Sequence, residues 1–101
     1  MGIITPTFRN EKHFTASVRK TARQLGWLTY HTYNSQRSDP GFPDFVLLRG
    51  KKLIFAELKM PKGRLSKFQK EWGTALTKSG QQYYLWRPKD WDDILTVLQS
   101  Q

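Results

Sequence analysis

The stretch that decides the reading is Asp44-Phe45-Val46-Leu47-Leu48-Arg49-Gly50-Lys51-Lys52-Leu53-Ile54-Phe55-Ala56-Glu57-Leu58-Lys59. Two short runs rich in β-formers, Phe45 to Leu48 and Leu53 to Ala56, flank Arg49-Gly50-Lys51-Lys52, a pattern that predicts a hairpin. If Arg49 pairs with Lys52, paired residue numbers share a constant sum, and that sum sets Asp44 directly opposite Glu57. Opposed residues share a face, with Cβ atoms about 4.5 to 5.5 Å apart. Because side chains alternate along a strand, Lys59 falls on the face of Glu57 and Leu58 on the other. One face thus carries two carboxylates and an amine. Two adjacent carboxylates in a partly dry site repel unless one takes a proton or a cation lies between them. Hard oxygen ligands of this kind suit Mg²⁺ or Mn²⁺.

The 101 residues suffice for one small domain, 1–101, so any site is built on one sheet and its helices. With 17 basic against 8 acidic residues the net charge is +9, and three of the acids, Asp90, Asp92 and Asp93, sit near the C-terminus. A surface this positive attracts polyanions, nucleic acid foremost. An anionic membrane would satisfy the same charge, but no basic amphipathic helix with a broad apolar face supports it. With no cysteine, disulfides, thiolate metal sites and cysteine nucleophiles are all excluded. His13 and His31 alone supply a zinc site poorly. There is no secretion-type leader and no apolar segment of spanning length, so the expectation is a cytoplasmic protein, in a bacterial or phage-infected cell.

Outward from the hairpin, residues 1–9 read as a loose arm. Asn10 is an N-cap for a helix from Glu11 to Leu25 with Phe14, Val18, Ala22 and Leu25 on its apolar stripe and Gly26 at its end. Glu11 has two readings: a first-turn acid complementing the helix dipole, or an acid pointing with the stripe toward the carboxylate site. Trp27 to Tyr33 predicts a strand. The polar loop from Asn34 to Gly41 is long for a compact domain, which points to binding: Ser35, Arg37 and Ser38 are candidate phosphate contacts, while Asp39-Pro40-Gly41 is a turn.

Beyond Lys59, Met60 to Leu65 is a loop, and Ser66-Lys67-Phe68-Gln69 has the capping-box pattern opening a helix through Trp72, Ala75 and Leu76, with Gly80 at its end. Gln69 is therefore a capping residue, but it also lies three residues before Trp72 on the expected buried stripe. Gln82 to Trp86 predicts a strand, and Asp90 is expected to cap a last helix bearing Trp91, Ile94, Leu95 and Leu98. The order is αβββαβ plus a C-terminal helix, an α/β fold with a mixed sheet flanked by helices. Lys59, Lys62, Arg64, Lys67 and Lys70 run without an intervening acid into a helix N-terminus, as either a solvated face or part of a DNA-binding surface.

These residues resemble the PD-(D/E)XK nuclease pattern, and within it the VRR-NUC family of virus-type replication-repair nucleases: Pro43-Asp44, Glu57-Leu58-Lys59 and Gln69, with the longer string Gly26-Trp27, His31, Ser35, Ser38 to Asp44, Gly63 to Ser66 and Trp86-Arg87-Pro88. The likeness extends from Glu11 to Trp91 and looks like a stand-alone phage or prophage type. It implies a restriction-endonuclease-like core. It also implies that Asp44, Glu57 and the backbone carbonyl of Leu58 hold Mg²⁺ or Mn²⁺, that Glu11 joins them through water, that Lys59 orients or activates the attacking water, and that Gln69 supports the site. The expected activity is metal-dependent, structure-specific endonucleolytic cleavage of branched DNA. Holliday-junction resolution by a homodimer leads, since two symmetric cuts need two sites. The alternatives are a flap or nicking nuclease of the same fold, or a non-catalytic nucleic-acid-binding module. No aromatic stacking motif favours an RNA-binding domain.

Overall fold

The computed structural model describes residues 6–32, 37 and 39–101. Its elements are α1 (Glu11–Gln24), β1 (Leu28–His31), β2 (Phe45–Arg49), β3 (Lys52–Leu58), α2 (Lys67–Lys78), β4 (Gln82–Trp86), a 3₁₀ turn (Pro88–Asp90) and α3 (Trp91–Gln99). The strands form one sheet in the order β1-β2-β3-β4. β1, β2 and β3 pair antiparallel, and β4 returns through α2 to lie parallel to β3. The expected mixed sheet is present. So is the hairpin register, with Arg49 opposite Lys52 and Phe45 opposite Ala56. A two-residue turn at Gly50-Lys51 closes it, and Gly50 takes the positive φ of 60° that such a turn demands.

One face of the sheet carries the core. Phe45 and Leu47 of β2 and Ile54, Ala56 and Leu58 of β3 are fully buried, or nearly so, against Phe14, Val18 and Ala22 of α1 and Trp91, Ile94 and Leu98 of α3. The alternation that hides these residues turns Phe55 and Glu57 to the opposite face. Asn10 caps α1 by accepting from His13 N at 2.8 Å. Phe8, in the stretch expected to be a loose arm, instead belongs to the core: its ring lies 5.0 Å from Phe14 and 5.4 Å from Trp91. At the end of the molecule nearest the hairpin turn, Arg49 Nη1 donates to Leu25 O at 3.0 Å and to Leu98 O at 2.8 Å. Its guanidinium also sits 4.5 Å from the Trp27 ring. One cation thereby satisfies the terminal carbonyls of two helices, where the negative ends of their dipoles lie.

The other face is covered differently from expectation. Within α2 only Gly73 is buried; Phe68 is 50% and Trp72 37% exposed, and Ala75 is also on the surface. The helix meets the sheet through Gly73, where an added Cβ would stand 2.7 Å from the tip of the Tyr83 ring, so any larger residue would have to displace that ring. α2 therefore covers the β3–β4 side and leaves Leu28, Tyr30 and Leu48 exposed on the β1–β2 side. β1 is also shorter than the Trp27 to Tyr33 expectation, and Tyr33 lies outside the described residues. Asp90 does not cap α3 through its side chain. Its carboxylate accepts from Arg87 N at 2.9 Å and closes the 3₁₀ turn. Among the described residues no helix is long and apolar enough to cross a membrane.

Candidate active site

At the end of the sheet remote from the hairpin turn, β2 begins where β3 ends, and the ladder finishes on side chains. The last backbone pair is Phe45 with Ala56; one residue further, Asp44 N donates to Glu57 Oε2 at 3.1 Å and Leu58 N donates to Asp44 Oδ2 at 2.9 Å. The two carboxylates thus take over hydrogen bonds that strand backbone would have made. Lys59 N, next along β3, donates the other way, to Trp86 O at 3.0 Å on β4. Alternate residues of a strand direct their N–H and C=O groups to opposite neighbours. The Leu58 carbonyl therefore emerges on the side of Asp44.

Glu57 is only 1% exposed. Burial, then the charge of Asp44, pushes its carboxyl up to about 8, against the opposing pull of the Asp44 N–H and of Lys59. Gln69 completes its surroundings, donating from Nε2 to Glu57 Oε1 at 2.5 Å. The same side chain accepts from Ser66 N at 2.8 Å, while Ser66 Oγ accepts from Gln69 N at 3.1 Å. The carboxamide serves the cap with its oxygen and the site with its nitrogen at once, so the capping and site readings of Gln69 hold together. The loop before Asp44 is pressed onto the same helix turn. Gly41, at φ 92°, leaves no room for a Cβ, which would lie 2.4 Å from the Phe68 backbone.

Glu11, at the first turn of α1, shares a cleft wall with Asp44. Loss of surrounding water, then the Asp44 charge, holds its carboxyl above the ordinary carboxylate range, and Lys59 pulls it back. Its field reaches the site, but among the described residues no three of His, Cys, Asp and Glu gather closely enough to form a metal shell. Asp44 and Glu57 are the close pair. Their fit to a divalent cation rests on the donor set: two carboxylates and a carbonyl converging on one strand end, all hard oxygens, with burial making the doubly ionised pair costly without a positive charge.

Lys62, Arg64, Lys67 and Lys70 are all exposed on the loop and first turns of α2, and Arg37 is exposed as well. Ser35 and Ser38 lie outside the described residues. The basic loop is held from beneath by Arg87, whose Nη1 donates to Met60 O at 2.6 Å and Gly63 O at 2.8 Å. No spacing rule singled out this arginine, because its partners are backbone carbonyls more than twenty residues away. Nor did any spacing rule single out Tyr83. Burial, then the charges of Glu57 and Asp44, pushes its phenol up to about 12, so it stays neutral beside the carboxylates. His31, held below the ordinary imidazole range chiefly by burial, lines the Asp44 cleft with Arg19.

Compared with known proteins, the sequence model of the VRR-NUC domain matches residues 6–90. The chain belongs to the VRR-NUC domain family. No curated protein sequence matches it. Among solved structures, one named "VRR_NUC domain protein" superposes with a TM-score of 0.70 at 18% identity, covering 92% of this chain and 88% of its own. A second, named "VRR_NUC domain", gives 0.69 at 19% identity, covering 85% and 94%. At such identities the likeness is one of fold: the four-stranded mixed sheet and its flanking helices are those of VRR-NUC structures. The family is of nuclease type.

Proposed function

We propose that this VRR-NUC domain is a Mg²⁺- or Mn²⁺-dependent DNA endonuclease, cutting branched DNA and resolving Holliday junctions as a homodimer. The observation that carries the catalytic part is the Asp44–Glu57 pair at the end of two strands, where Glu57 accepts from Asp44 N and Asp44 accepts from Leu58 N, with Glu57 buried and pushed up to about 8. Asp44, Glu57 and the Leu58 carbonyl would hold the ion. When bound, it supplies positive charge against the phosphate and lowers the pKa of water at the site. Glu11 faces the same space and orders water there. Gln69 fixes the rotamer of Glu57, and Lys59 orients the attacking water. That water adds in line to phosphorus as the bond to the 3′ oxygen breaks, leaving a 5′ phosphate. Direct hydrolysis by water needs no covalent enzyme intermediate, and the chain has no cysteine to form a phosphocysteine. Arg37, Lys62, Arg64, Lys67 and Lys70, with Ser35 and Ser38, would bind the sugar-phosphate backbone.

The dimer part is supported by the exposed apolar side chains Leu28, Tyr30 and Leu48, which project from one face of the β1–β2 edge, with Phe68 and Trp72 on the neighbouring helix. An apolar area of this kind beside an open edge strand favours a symmetric partner. The test is a cleavage panel of four-way junction, flap, nicked and linear duplex DNA with Mg²⁺ or Mn²⁺, run beside native mass spectrometry. Paired symmetric cuts across the junction by a dimer are expected. Preference for the flap or nicked substrate by a monomer would replace resolution with one of those activities.

A further inference from the structure

The cleft that opens at Asp44 does not end there. It has a volume of about 430 Å³ and runs between α1 and β1, walled by Glu11, Lys12, Thr15 and Arg19 from the helix and by His31 from the strand. A second hollow of about 310 Å³ continues it, sharing Arg19 and His31 and adding Arg23 and Thr29. The two make one groove along the edge of the sheet. Its helix wall follows from spacing: Lys12, Thr15, Arg19 and Arg23 recur every three or four residues and lie beside the buried stripe Phe14, Val18 and Ala22. Its floor follows from register: Thr29 and His31 pair with Leu47 and Phe45, both fully buried on the α1 side, so they face α1 too. The His31 ring rests 4.9 Å from the Phe45 ring, and Arg23 Nε donates to Thr29 Oγ1 at 3.0 Å, laying its guanidinium along the strand edge.

From Lys12 to Arg23 the helix rises about 16 Å at 1.5 Å per residue. That is the axial length of about five steps of one DNA strand at 3.4 Å each. Three cations spread over that length, in a groove whose two lining acids, Glu11 and Asp44, both stand at its catalytic end, form a rail for a polyanion rather than a pocket for a small molecule. The rail lies on the α1 side of the sheet, whereas Lys62 to Lys70 lie on the α2 side, and the carboxylates sit between the two.

Building on the nuclease reading, we propose that the α1–β1 groove is a second track for the DNA backbone. Arg19, shared by both hollows, is its central phosphate contact, so that a strand enters over the α2 basic turn, crosses Asp44 and Glu57, and leaves beneath α1. Arg19 is a positioning residue: it holds DNA at a distance from the reacting phosphate and takes no part in bond breaking.

The test measures binding of a four-way junction and of linear duplex in EDTA over a range of salt, for the wild type, Arg19→Ala, Arg23→Ala and Lys51→Ala. Lys51 stands at the hairpin turn, at the far end of the sheet, and serves as the control for simple loss of charge. A lost phosphate contact flattens the plot of log affinity against log salt by about one unit. The expected result is that flattening in both arginine variants and none in Lys51→Ala, with KM for cleavage raised and kcat nearly unchanged. Thermal unfolding of each variant checks that it folds; should Arg19→Ala fail to, Arg23→Ala and the uncharged polar Arg19→Gln carry the test. An unchanged slope and KM in folded variants of a protein that still cuts DNA overturns the track alone. A wild-type protein that binds no DNA removes the nuclease reading, and the track with it.

Discussion

Replacing Lys59 by alanine is expected to lower the rate of DNA cleavage by about 10²- to 10⁴-fold while leaving DNA affinity in EDTA nearly unchanged. The strand survives the change, because what Lys59 contributes to β3 is its backbone N–H, donated to Trp86 O at 3.0 Å. The side chain packs beside the Met60–Arg64 loop, with its Cδ 3.3 Å from the position a Gly63 Cβ would take. Its charge acts on the carboxyls of both Glu57 and Glu11, lowering each against their burial. The variant therefore loses the amine that orients water and tightens the repulsion among the acids left behind. Single-turnover cleavage with saturating protein, measured beside filter or anisotropy binding, separates these effects. Full activity would remove Lys59 from the site, and a parallel loss of binding would make it a phosphate contact like its neighbours in the basic loop.

The second large effect is on stability. Without a metal ion, the folded protein is expected to become less stable as pH rises from about 4.5 to about 8, by as much as ~1.4 kcal/mol per pH unit near the middle of that window. The sign follows from Glu57. Its carboxyl has an ordinary value of 4.5, as in an unfolded chain, and is pushed up to about 8 in the fold. Between those limits the native state holds a proton that the unfolded state has released, so each further rise in pH favours unfolding. Mg²⁺ competes for the same oxygens, so its stabilisation should grow with pH across the same window. Glu57→Gln removes the titration: the variant's stability should be flatter between pH 4.5 and 8 and insensitive to Mg²⁺. Its absolute stability is a poorer readout, because Gln69 Nε2 and Asp44 N both donate to Glu57, and an amide meets one of them with a donor. Denaturant midpoints at several pH values, with and without Mg²⁺, supply the slopes. A wild-type slope matching that of Glu57→Gln would show that the carboxyl is ionised throughout.

Much of this architecture is legible in the chain because the informative features are local. Gly50-Lys51 between two β-branched and aromatic runs sets the hairpin, the hairpin sets the register, and the register sets Asp44 against Glu57. Ser66 and Gln69 announce the start of α2 by the spacing of a cap alone. What remained hidden depends on partners distant in sequence. The apolar spacing of α2 identifies a stripe, but the close approach of Gly73 to Tyr83 decides where the helix sits, and that leaves Phe68 and Trp72 half in water. Phe8 looks like part of an arm until Trp91, more than eighty residues on, supplies the surface it packs against. Asp90 has the composition of a helix cap, yet Arg87 N takes its carboxylate first. Gln69 was found for two separate reasons, and only the orientation of its amide shows that both hold together. The helix stripe of Lys12, Arg19 and Arg23 could have been noticed from its spacing, but the spacing does not say that an open groove lies beneath it.

The central claim is that Asp44 and Glu57 form a metal-dependent phosphodiesterase centre. The most direct measurement is cleavage of a labelled four-way junction by the wild type and by Asp44→Asn, each with Mg²⁺, with Mn²⁺ and with excess EDTA. Cleavage by the wild type that requires the metal, stops with EDTA and is absent in a folded, DNA-binding Asp44→Asn variant is the predicted result. Cleavage that persists in EDTA, or that Asp44→Asn retains in full, would contradict it.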